Sequence, residues 1–309
     1  MFRDPSIPIV IAFTPNYFVP ATTFVLSLLK HSNIDDCYHL ICLLTDELPF
    51  NMQNDIKDIG GDRVRVTYIN LSGYLVDIYI NERYTVAASF RLILPDILPS
   101  YDKVLYMDCD LIIRTNVADL FRSTDLTGYY LGAVYEPTLD FQKQHIESIG
   151  CVLDGYINSG VLLMNLQLLR QDKMVRKFLK AAQVENLEFP DQDILNQVCR
   201  ERILALPPHY NGIRTFFLPQ YKKEFLRRYT EQEWLAVQKY GNIHYTGAKP
   251  WNTFTVAFDV WWKYYRLLPK SIQKYQRITR KMAILEKMYA NRMGKIFIDG
   301  VRVGYRMIK

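Results

Sequence analysis

The sequence lacks any long apolar run. Nothing in it approaches the roughly 20 consecutive apolar residues that a membrane-spanning helix requires. Its N-terminus also lacks the basic start and apolar core of a signal peptide, and residues 7–13 are better interpreted as a first strand. No internal repeat, low-complexity tract or clear linker is evident. These absences favour a folded protein without a membrane span.

Cysteine is scarce and shows no pairing pattern. The 5 cysteines form no CxxC motif, and their odd number argues against a disulfide framework. We therefore expect reduced core residues in a cytoplasmic protein. Hydrophobic residues make up 49% of the chain and aromatic residues 14%, which is ample for a packed core.

The net charge of +6 is unevenly distributed. Residues 270–309 contain eleven Lys or Arg against one Glu and one Asp, so the rest of the chain is slightly acidic. We expect one compact domain, 1–269, followed by a basic tail, 270–309. The overall pI therefore says little about the body of the protein, and we expect no nucleic-acid partner.

The tail has a helical pattern. Between residues 270 and 296 apolar side chains recur every three or four positions, and most of the remaining surface is Lys and Arg. A basic amphipathic helix of this kind fits peripheral binding to an anionic membrane surface, such as the inner face of the cell membrane. It equally fits a helix that packs on its own domain and keeps a solvated basic face.

Strand-like and helix-like segments alternate in the first half of the chain. We predict strands at 7–13, 38–44, 64–69 and 104–107, separated by helices at 20–29, 52–59 and 87–98, the last interrupted at Pro95. This order predicts an α/β fold with a mostly parallel sheet covered by helices. The second half is less regular, with strands expected at 130–134, 160–164 and 241–245 and helices at 168–182 and 191–199. In such sheets ligands bind beyond the carboxyl ends of the strands.

Two aspartates follow the strand at 104–107. Asp108 and Asp110 flank Cys109, and alternate residues of an extended chain point to the same side. Two neighbouring carboxylates repel each other unless a cation lies between them, and Mg²⁺ and Mn²⁺ prefer oxygen ligands. A simple turn at the end of a strand is the alternative, because Asp is common in turns.

Polar clusters follow in two later segments. Asn158 and Ser159 precede a glycine and then an apolar strand, so that the backbone there can approach a ligand closely. Pro190 begins a predicted helix with Asp191 as its N-cap, and capping by Asp191 leaves Gln192 available for another role.

A fourth segment combines a histidine with a cationic loop. His244 can complete a metal site that two carboxylates begin. Lys249 lies on a loop that contains Gly247 and can bind a phosphate group. A histidine by itself is more often an ordinary core or surface residue than a ligand.

Together, the ordered segments LYMDCDLII, INSGVLLMNL, DQDILN and HYTGAKPW resemble family 8 of the retaining glycosyltransferases, from about residue 7 to residue 251. That group contains glycogenin and bacterial galactosyl- and glucosyltransferases of lipopolysaccharide synthesis. The resemblance implies a GT-A fold, a nucleotide-diphospho-sugar transferase fold with a mixed central sheet. It also implies a UDP-hexose donor, Mn²⁺ or Mg²⁺ as cofactor, and a glycan, glycolipid or glycoprotein acceptor.

The resemblance further implies roles for individual residues. Asp108, Asp110 and His244 match the metal ligands, and Gly247 and Lys249 match the loop that holds the diphosphate. Asn158, Asp191 and Gln192 match family residues with catalytic roles, and Gln192 matches the one that lies near the anomeric carbon of the sugar. The other donor contacts fall on Ala12, Thr14, Asn16, Tyr17, Arg91, Cys109, Glu136 and Ser159.

This chain departs from the family pattern in two places. Thr14-Pro15 stands where family members often carry acidic residues, and Glu136 stands where they have an Asp. Two other functions stay open: a DxD-type metal-dependent phosphohydrolase and a non-catalytic relative that binds sugar nucleotides. Against the first, Ile112 occupies the position where such hydrolases have Thr or Val. The sequence leaves the acceptor and the choice between glucose and galactose undetermined.

Overall fold

The structure, a computed structural model, describes residues 6–75, 78–79, 85–184, 187–298 and 300. Residues 301–309 of the predicted tail lie outside this description. The strands in chain order are β1 (Ile7–Phe13), β2 (Tyr38–Leu44), β3 (Val64–Asn70), β4 (Lys103–Met107), β5 (Leu111–Ile112), β6 (Leu131–Glu136), β7 (Tyr156–Asn165), β8 (Ile203–Ala205), β9 (Gly212–Ile213) and β10 (Ile243–His244).

Seven of these strands form the central sheet, in the order β3-β2-β1-β4-β7-β6-β8. Neighbouring strands are parallel except at β7, which runs antiparallel to both β4 and β6. This mixed, mostly parallel sheet confirms the predicted fold class. A smaller sheet has the order β5-β10-β9, and its strand β5 directly follows β4 in the chain.

Helices cover the central sheet. They are α1 (Phe18–Lys30), α2 (Phe50–Gly60), α3 (Leu94–Ile97), α4 (Val117–Ser123), α5 (Lys143–Ser148), α6 (Leu166–Gln171), α7 (Met174–Ala181), α8 (Pro190–Cys199), α9 (Lys222–Phe225), α10 (Glu231–Tyr240), α11 (Phe258–Leu267), α12 (Lys270–Gln273) and α13 (Arg280–Ala290). Along the described part of the chain, none of the helices combines the length and the apolar composition needed to cross a membrane.

The sheet separates two apolar layers. In β1, Ile9 and Ile11 belong to a layer that includes side chains of α1, α2 and α11, whereas Val10 and Ala12 belong to a layer with α6, α7 and α8. Alternate strand residues face opposite sides, and both sides of this sheet are covered. For this reason β1 is apolar throughout and all seven of its residues are buried.

Several predicted elements have different bounds in the structure. The expected helix at 87–98 is a 3-10 helix, Val86–Ile93, followed by α3, which begins just before Pro95. The expected helix at 168–182 is broken between α6 and α7, where Lys173 adopts a left-handed conformation with φ 53°. Strand β7 begins at Tyr156 rather than 160, so Asn158 and Ser159 lie within the strand.

The prediction of one continuous helix at 270–296 was wrong. Helices α12 and α13 are separate, because Thr279 starts α13 as its N-cap, with its side chain accepting a hydrogen bond from Met282 N at 3.3 Å. Ile272, Met282 and Tyr289 are buried in the same apolar layer as α1. Much of the apolar stripe read from the sequence therefore packs on the protein itself.

Candidate functional site

Three side chains converge where β4 ends. Ligand atoms of Asp108, Asp110 and His244 all lie within 4.8 Å of one another. His244 Nε2 is 3.6 Å from Asp108 Oδ2 and 3.3 Å from Asp110 Oδ1. Among the described residues, this is the one group of three or more His, Cys, Asp or Glu side chains placed to hold a metal ion.

The paired strands explain this convergence. Asp108 and Asp110 bridge β4 of the large sheet and β5 of the small sheet. His244 in β10 is the direct antiparallel partner of Leu111, and Tyr245 N donates to Asp110 O at 3.2 Å. The pairing therefore brings a histidine far along the chain to within contact of the two aspartates.

The donor set fits a divalent cation. Asp110 is buried, and its Oδ1 has no hydrogen-bond donor among the described residues. An unpaired buried carboxylate oxygen is costly, and a cation would compensate that cost. Two carboxylate oxygens and one imidazole nitrogen suit Mn²⁺ and Mg²⁺ better than a soft metal.

Two cations flank the acidic pair. Lys249 donates to Asp110 Oδ2, and Arg91 pairs with Asp108 Oδ1 at 2.8 Å. Burial acts to raise the pKa of Asp110, but Lys249 and then His244 outweigh it and hold that pKa well below its usual range. Burial likewise acts to lower the pKa of Lys249, yet the charge of Asp110 raises it, so the ammonium stays charged.

Arg91 connects the acidic pair to α8. Its side chain is only 3% exposed, and its Nε lies 3.2 Å from Asp191 Oδ2. It also donates to Ser159 O and stacks over the Tyr106 ring, 4.3 Å from the ring centroid. The guanidinium pKa is raised, because the charges of Asp108 and Asp191 outweigh its burial. Arg91 is therefore a permanent charge held in one orientation.

Hydrogen-bonded amides form the opposite wall. Asn158 Nδ2 donates to Glu136 Oε1 at 2.7 Å and to Gln192 Oε1 at 3.1 Å. Gln192 Oε1 also accepts from Ser159 N at 3.1 Å. Burial raises the pKa of Glu136. It raises that of Asp191 as well, against the charge of Arg91.

Strand β7 bulges at this wall. The pair Ala133–Leu162 is followed by the pair Val134–Asn158, so residues 159–161 have no partner in β6. Bulges redirect side chains and are common beside functional sites. Here the bulge places Gly160 against the cluster of Asp108, Asp110 and His244, with Gly160 O accepting from Asp108 N at 2.8 Å.

The prediction of Asp191 as the N-cap of α8 was wrong. Phe189 is the N-cap and Pro190 the first helical residue, where a missing N–H is tolerated. Asp191 is therefore the second residue of the helix, and its carboxylate accepts a hydrogen bond from Ser159 Oγ at 2.8 Å. The next acid, Asp193, holds the start of the helix by accepting from Phe189 N at 3.0 Å.

One cavity of about 590 Å³ contains nearly all the predicted site residues. Its lining includes every predicted metal and donor contact except Asn16, namely Ala12, Thr14, Tyr17, Arg91, Asp108, Cys109, Asp110, Glu136, Asn158, Ser159, Asp191, Gln192, His244, Gly247 and Lys249. Gly247 has φ +74°, a conformation that glycine adopts without strain. Asn16 is exposed on the 3-10 helix Pro15–Tyr17 and does not line the cavity.

Sequence reasoning missed two residues that support the site. Tyr106 lies in β4 and donates to Asp108 Oδ1 at 3.0 Å. Asn211 is fully buried, and its Oδ1 lies 2.9 Å from His244 Nδ1. A strand tyrosine resembles ordinary core, and Tyr210-Asn211-Gly212 resembles an ordinary turn, so neither carries a distinctive local signal.

Comparisons with known proteins agree with this geometry. Residues 8–255 match the family model described as Glycosyl transferase family 8. Glycosyltransferase GlyF of Streptococcus pneumoniae serotype 4 is 29% identical over 267 residues, which cover 83% of this chain but only 60% of GlyF. A lipopolysaccharide 1,2-glucosyltransferase of Escherichia coli is 25% identical over 310 residues, which cover 95% of this chain and 88% of that enzyme.

Solved structures share the fold. The galactosyltransferase LgtC, solved in complex with donor and acceptor sugar analogs, superposes with a TM-score of 0.71 at 23% identity, covering 87% of this chain and 100% of LgtC. The bifunctional enzyme WbbM superposes with a TM-score of 0.75 at 19% identity, covering 89% of this chain and 52% of WbbM. Because the family model spans most of the sequence and the central sheet has the GT-A arrangement, the chain belongs to glycosyl transferase family 8 and is a glycosyltransferase.

Proposed function

We propose that the chain transfers glucose or galactose from a UDP-hexose to a glycan or glycoconjugate acceptor and retains the anomeric configuration. The observation that carries this proposal is the Asp108, Asp110 and His244 cluster, with its unpaired buried oxygen, set between two fixed cations in a cavity of about 590 Å³. Cavities of this size accommodate ligands as large as a sugar nucleotide.

The same three residues would hold Mn²⁺ or Mg²⁺. When bound, such an ion supplies Lewis-acid stabilisation of the diphosphate leaving group. Lys249 and Arg91 contribute fixed positive charge in the same cavity, where the low local dielectric strengthens it. Both side chains are already oriented by the carboxylates that they contact.

The contacts of the amide wall favour front-face attack over a covalent intermediate. Gln192 is an amide and a poor nucleophile, while the Asp191 carboxylate is held by Arg91 and Ser159. In the front-face reaction the departing phosphate accepts the proton of the acceptor hydroxyl. A sugar trapped covalently on Asp191 or Gln192 would contradict this part of the proposal.

The test is UDP release from UDP-glucose, UDP-galactose and UDP-N-acetyl sugars, with and without Mn²⁺. We expect release only with Mn²⁺, and we expect Asp110→Asn to abolish it, because the substitution removes one charged ligand. The matched control is Asp58→Asn, which changes an exposed aspartate on α2 and should leave the rate unchanged.

Other results would favour the alternatives. Metal-dependent release of phosphate from generic phosphoesters without UDP release would favour a phosphohydrolase. A protein whose affinity for UDP is not increased by Mn²⁺, and which turns over no donor, would be a non-catalytic sugar-nucleotide-binding relative.

The acceptor we propose is a lipid-linked or membrane-bound glycan of cell-surface polysaccharide or lipopolysaccharide synthesis, made at the cytoplasmic face of the membrane. The five unpaired cysteines fit a reducing compartment. Exposed apolar side chains remain near the end of the described chain, where Met293 is 74% and Phe297 64% exposed. Arg292 and Lys295 lie among them, so this surface has the composition of a peripheral contact with anionic lipid.

This membrane contact can be tested without deleting the tail, which would also remove buried core residues. Replacement of Met293, Ile296 and Phe297 by serine should weaken co-sedimentation with phosphatidylserine vesicles. Val152→Ser and Leu235→Ser, which change equally exposed residues elsewhere, are the matched control. Unchanged vesicle binding by the triple variant would show that the membrane proposal is wrong.

A further inference from the structure

A chain of buried amides connects β7 to the imidazole of His244. Gly160 N donates to Asn158 Oδ1 at 3.0 Å, and Asn211 Nδ2 donates to that same oxygen at 2.8 Å. Asn211 Oδ1 then faces His244 Nδ1 at 2.9 Å. Asn211 is fully buried, and Asn158 and His244 are nearly so. The order of donors and acceptors in this chain is therefore set by the protein rather than by solvent.

The direction of the chain is fixed by backbone groups. A backbone N–H can only donate, so the Asn158 atom that faces Gly160 N must be the oxygen. Ser159 N likewise requires the oxygen of Gln192 to face it, and that oxygen accepts from Asn158 Nδ2. Both ends of the Asn158 amide are thus determined independently.

The orientation of Asn158 fixes that of the Asn211 amide, which in turn fixes the proton position on the His244 ring. Because Asn158 presents an oxygen, Asn211 must present its Nδ2 there and turn its Oδ1 to the imidazole. An amide oxygen accepts only, so Nδ1 of His244 must carry the proton. In the neutral ring the lone pair then lies on Nε2, the nitrogen that faces Asp108 and Asp110.

We propose that Asn211 is a positioning residue that holds His244 as the Nδ1–H tautomer, so that Nε2 is free to bind the cation. Metal-bound histidines usually donate their second N–H to a protein acceptor, which sets the tautomer and the ring orientation. The ligation part of this inference rests on the proposed function, whereas the tautomer part does not.

The same amide chain ties the metal side of the cavity to its sugar side. Asn158 accepts from Asn211 through its oxygen and donates through its nitrogen to Glu136 and Gln192. A substitution at Asn211 that keeps an acceptor for His244 but removes the donor to Asn158 therefore separates the two effects. Asn211→Asp is such a substitution, and Asn211→Leu removes both.

The experiment combines two readouts. Nitrogen-15 NMR of the imidazole, recorded at mildly alkaline pH where histidine is neutral, reports which ring nitrogen carries the proton. The chain has 5 histidines, and the His244 signals are assigned by their loss in His244→Gln. Mn²⁺ affinity is measured separately from the electron paramagnetic resonance signal of the free ion.

We expect the Nδ1–H tautomer in the wild-type protein and in Asn211→Asp, and a mixture of tautomers in Asn211→Leu. The leucine variant should bind Mn²⁺ about 10–100-fold more weakly, the usual cost of losing a partner behind a metal ligand. Asn242→Asp is the matched control, because Asn242 is equally buried but contacts backbone groups of residues 114, 115 and 210 rather than His244. It should lower stability and leave both readouts unchanged.

Two results would overturn the inference. One is an Nε2–H tautomer in the wild-type protein, which can be observed even if Asn211→Leu does not fold. The other is a folded Asn211→Leu that keeps both the Nδ1–H tautomer and the wild-type Mn²⁺ affinity. A wild-type protein with the Nδ1–H tautomer that binds no Mn²⁺ would support the assignment of Asn211 and contradict the proposed metal site.

Discussion

The substitution Gly160→Ala tests how closely β7 approaches the cluster of Asp108, Asp110 and His244. A methyl group on Gly160 would overlap the ring of His244, and it would lie 2.7 Å from Nδ1 and 2.9 Å from Asp108 Oδ2. These contacts are shorter than van der Waals separations, so the ring must move. It cannot move freely, because Nδ1 is hydrogen-bonded to Asn211.

The expected magnitude follows from these contacts. Insertion of a methyl group into a packed interior typically costs about 1–3 kcal/mol. Displacement of the ring breaks its hydrogen bond to Asn211, which adds about 0.5–1.5 kcal/mol. We therefore expect a folded variant whose free energy of unfolding is lower by about 1.5–4.5 kcal/mol, the sum of these two effects. Its Mn²⁺ affinity should fall about 10–100-fold, because the ring of His244 is displaced from the position that its hydrogen bond to Asn211 sets.

The assay is urea denaturation for stability, together with titration of Mn²⁺. Gly132→Ala is the matched control: it lies on the neighbouring strand β6, where a methyl group would meet the flexible end of Leu206 at 3.1 Å, away from that cluster. This control should change stability modestly and leave Mn²⁺ affinity unaltered. Wild-type Mn²⁺ affinity in Gly160→Ala would refute the packing argument.

Two further predictions concern the sugar side and the stability of the fold. Gln192→Ala should lower kcat for transfer more than it weakens UDP binding measured by calorimetry, because Gln192 contacts Asn158 and Ser159 rather than the cations of the cavity; an equal loss in both would contradict its placement near the reacting sugar. Asp36→Asn should lower the free energy of unfolding at neutral pH by about 1–3 kcal/mol, because the buried carboxylate pairs with Arg122 at 2.7 Å and accepts from Asn116 Nδ2 at 3.0 Å. Burial acts to raise the pKa of Asp36, but these hydrogen bonds outweigh that effect and lower the pKa. The difference in the free energy of unfolding between the wild-type protein and Asp36→Asn should therefore be complete above the ordinary carboxyl pKa and decline as the pH falls below it. A difference that stays constant in acid would contradict this account.

Local patterns were sufficient for the strands of the first half. Strands β1 and β2 occur at the predicted residues, because a strand buried on both faces must be apolar along its whole length. The sequence also identified the acidic pair after β4 as a candidate site, because ligands in such sheets bind beyond the carboxyl ends of the strands. The prediction failed where bounds depend on tertiary contacts, as at β7, which begins four residues earlier than expected.

The tail shows the same limit. Its periodicity indicated an apolar stripe but not the surface that covers it, and the structure buries Ile272, Met282 and Tyr289 against the domain. A hydrophobic pattern predicts that one face of a helix is buried. The surface that this face packs against depends on shape complementarity and on the capping that divides the segment into two helices.

The sequence alone therefore determined the fold class, the acidic pair and the candidate ligands, because periodicity and ordered motifs are local properties of the chain. Only the tertiary structure decided that His244 lies across from Leu111, that β7 bulges to bring Gly160 against the ring, and that Asn211 orients it. These relations join residues far apart in the sequence. They depend on strand register and on the donor or acceptor character of buried groups, and neither has a local signature.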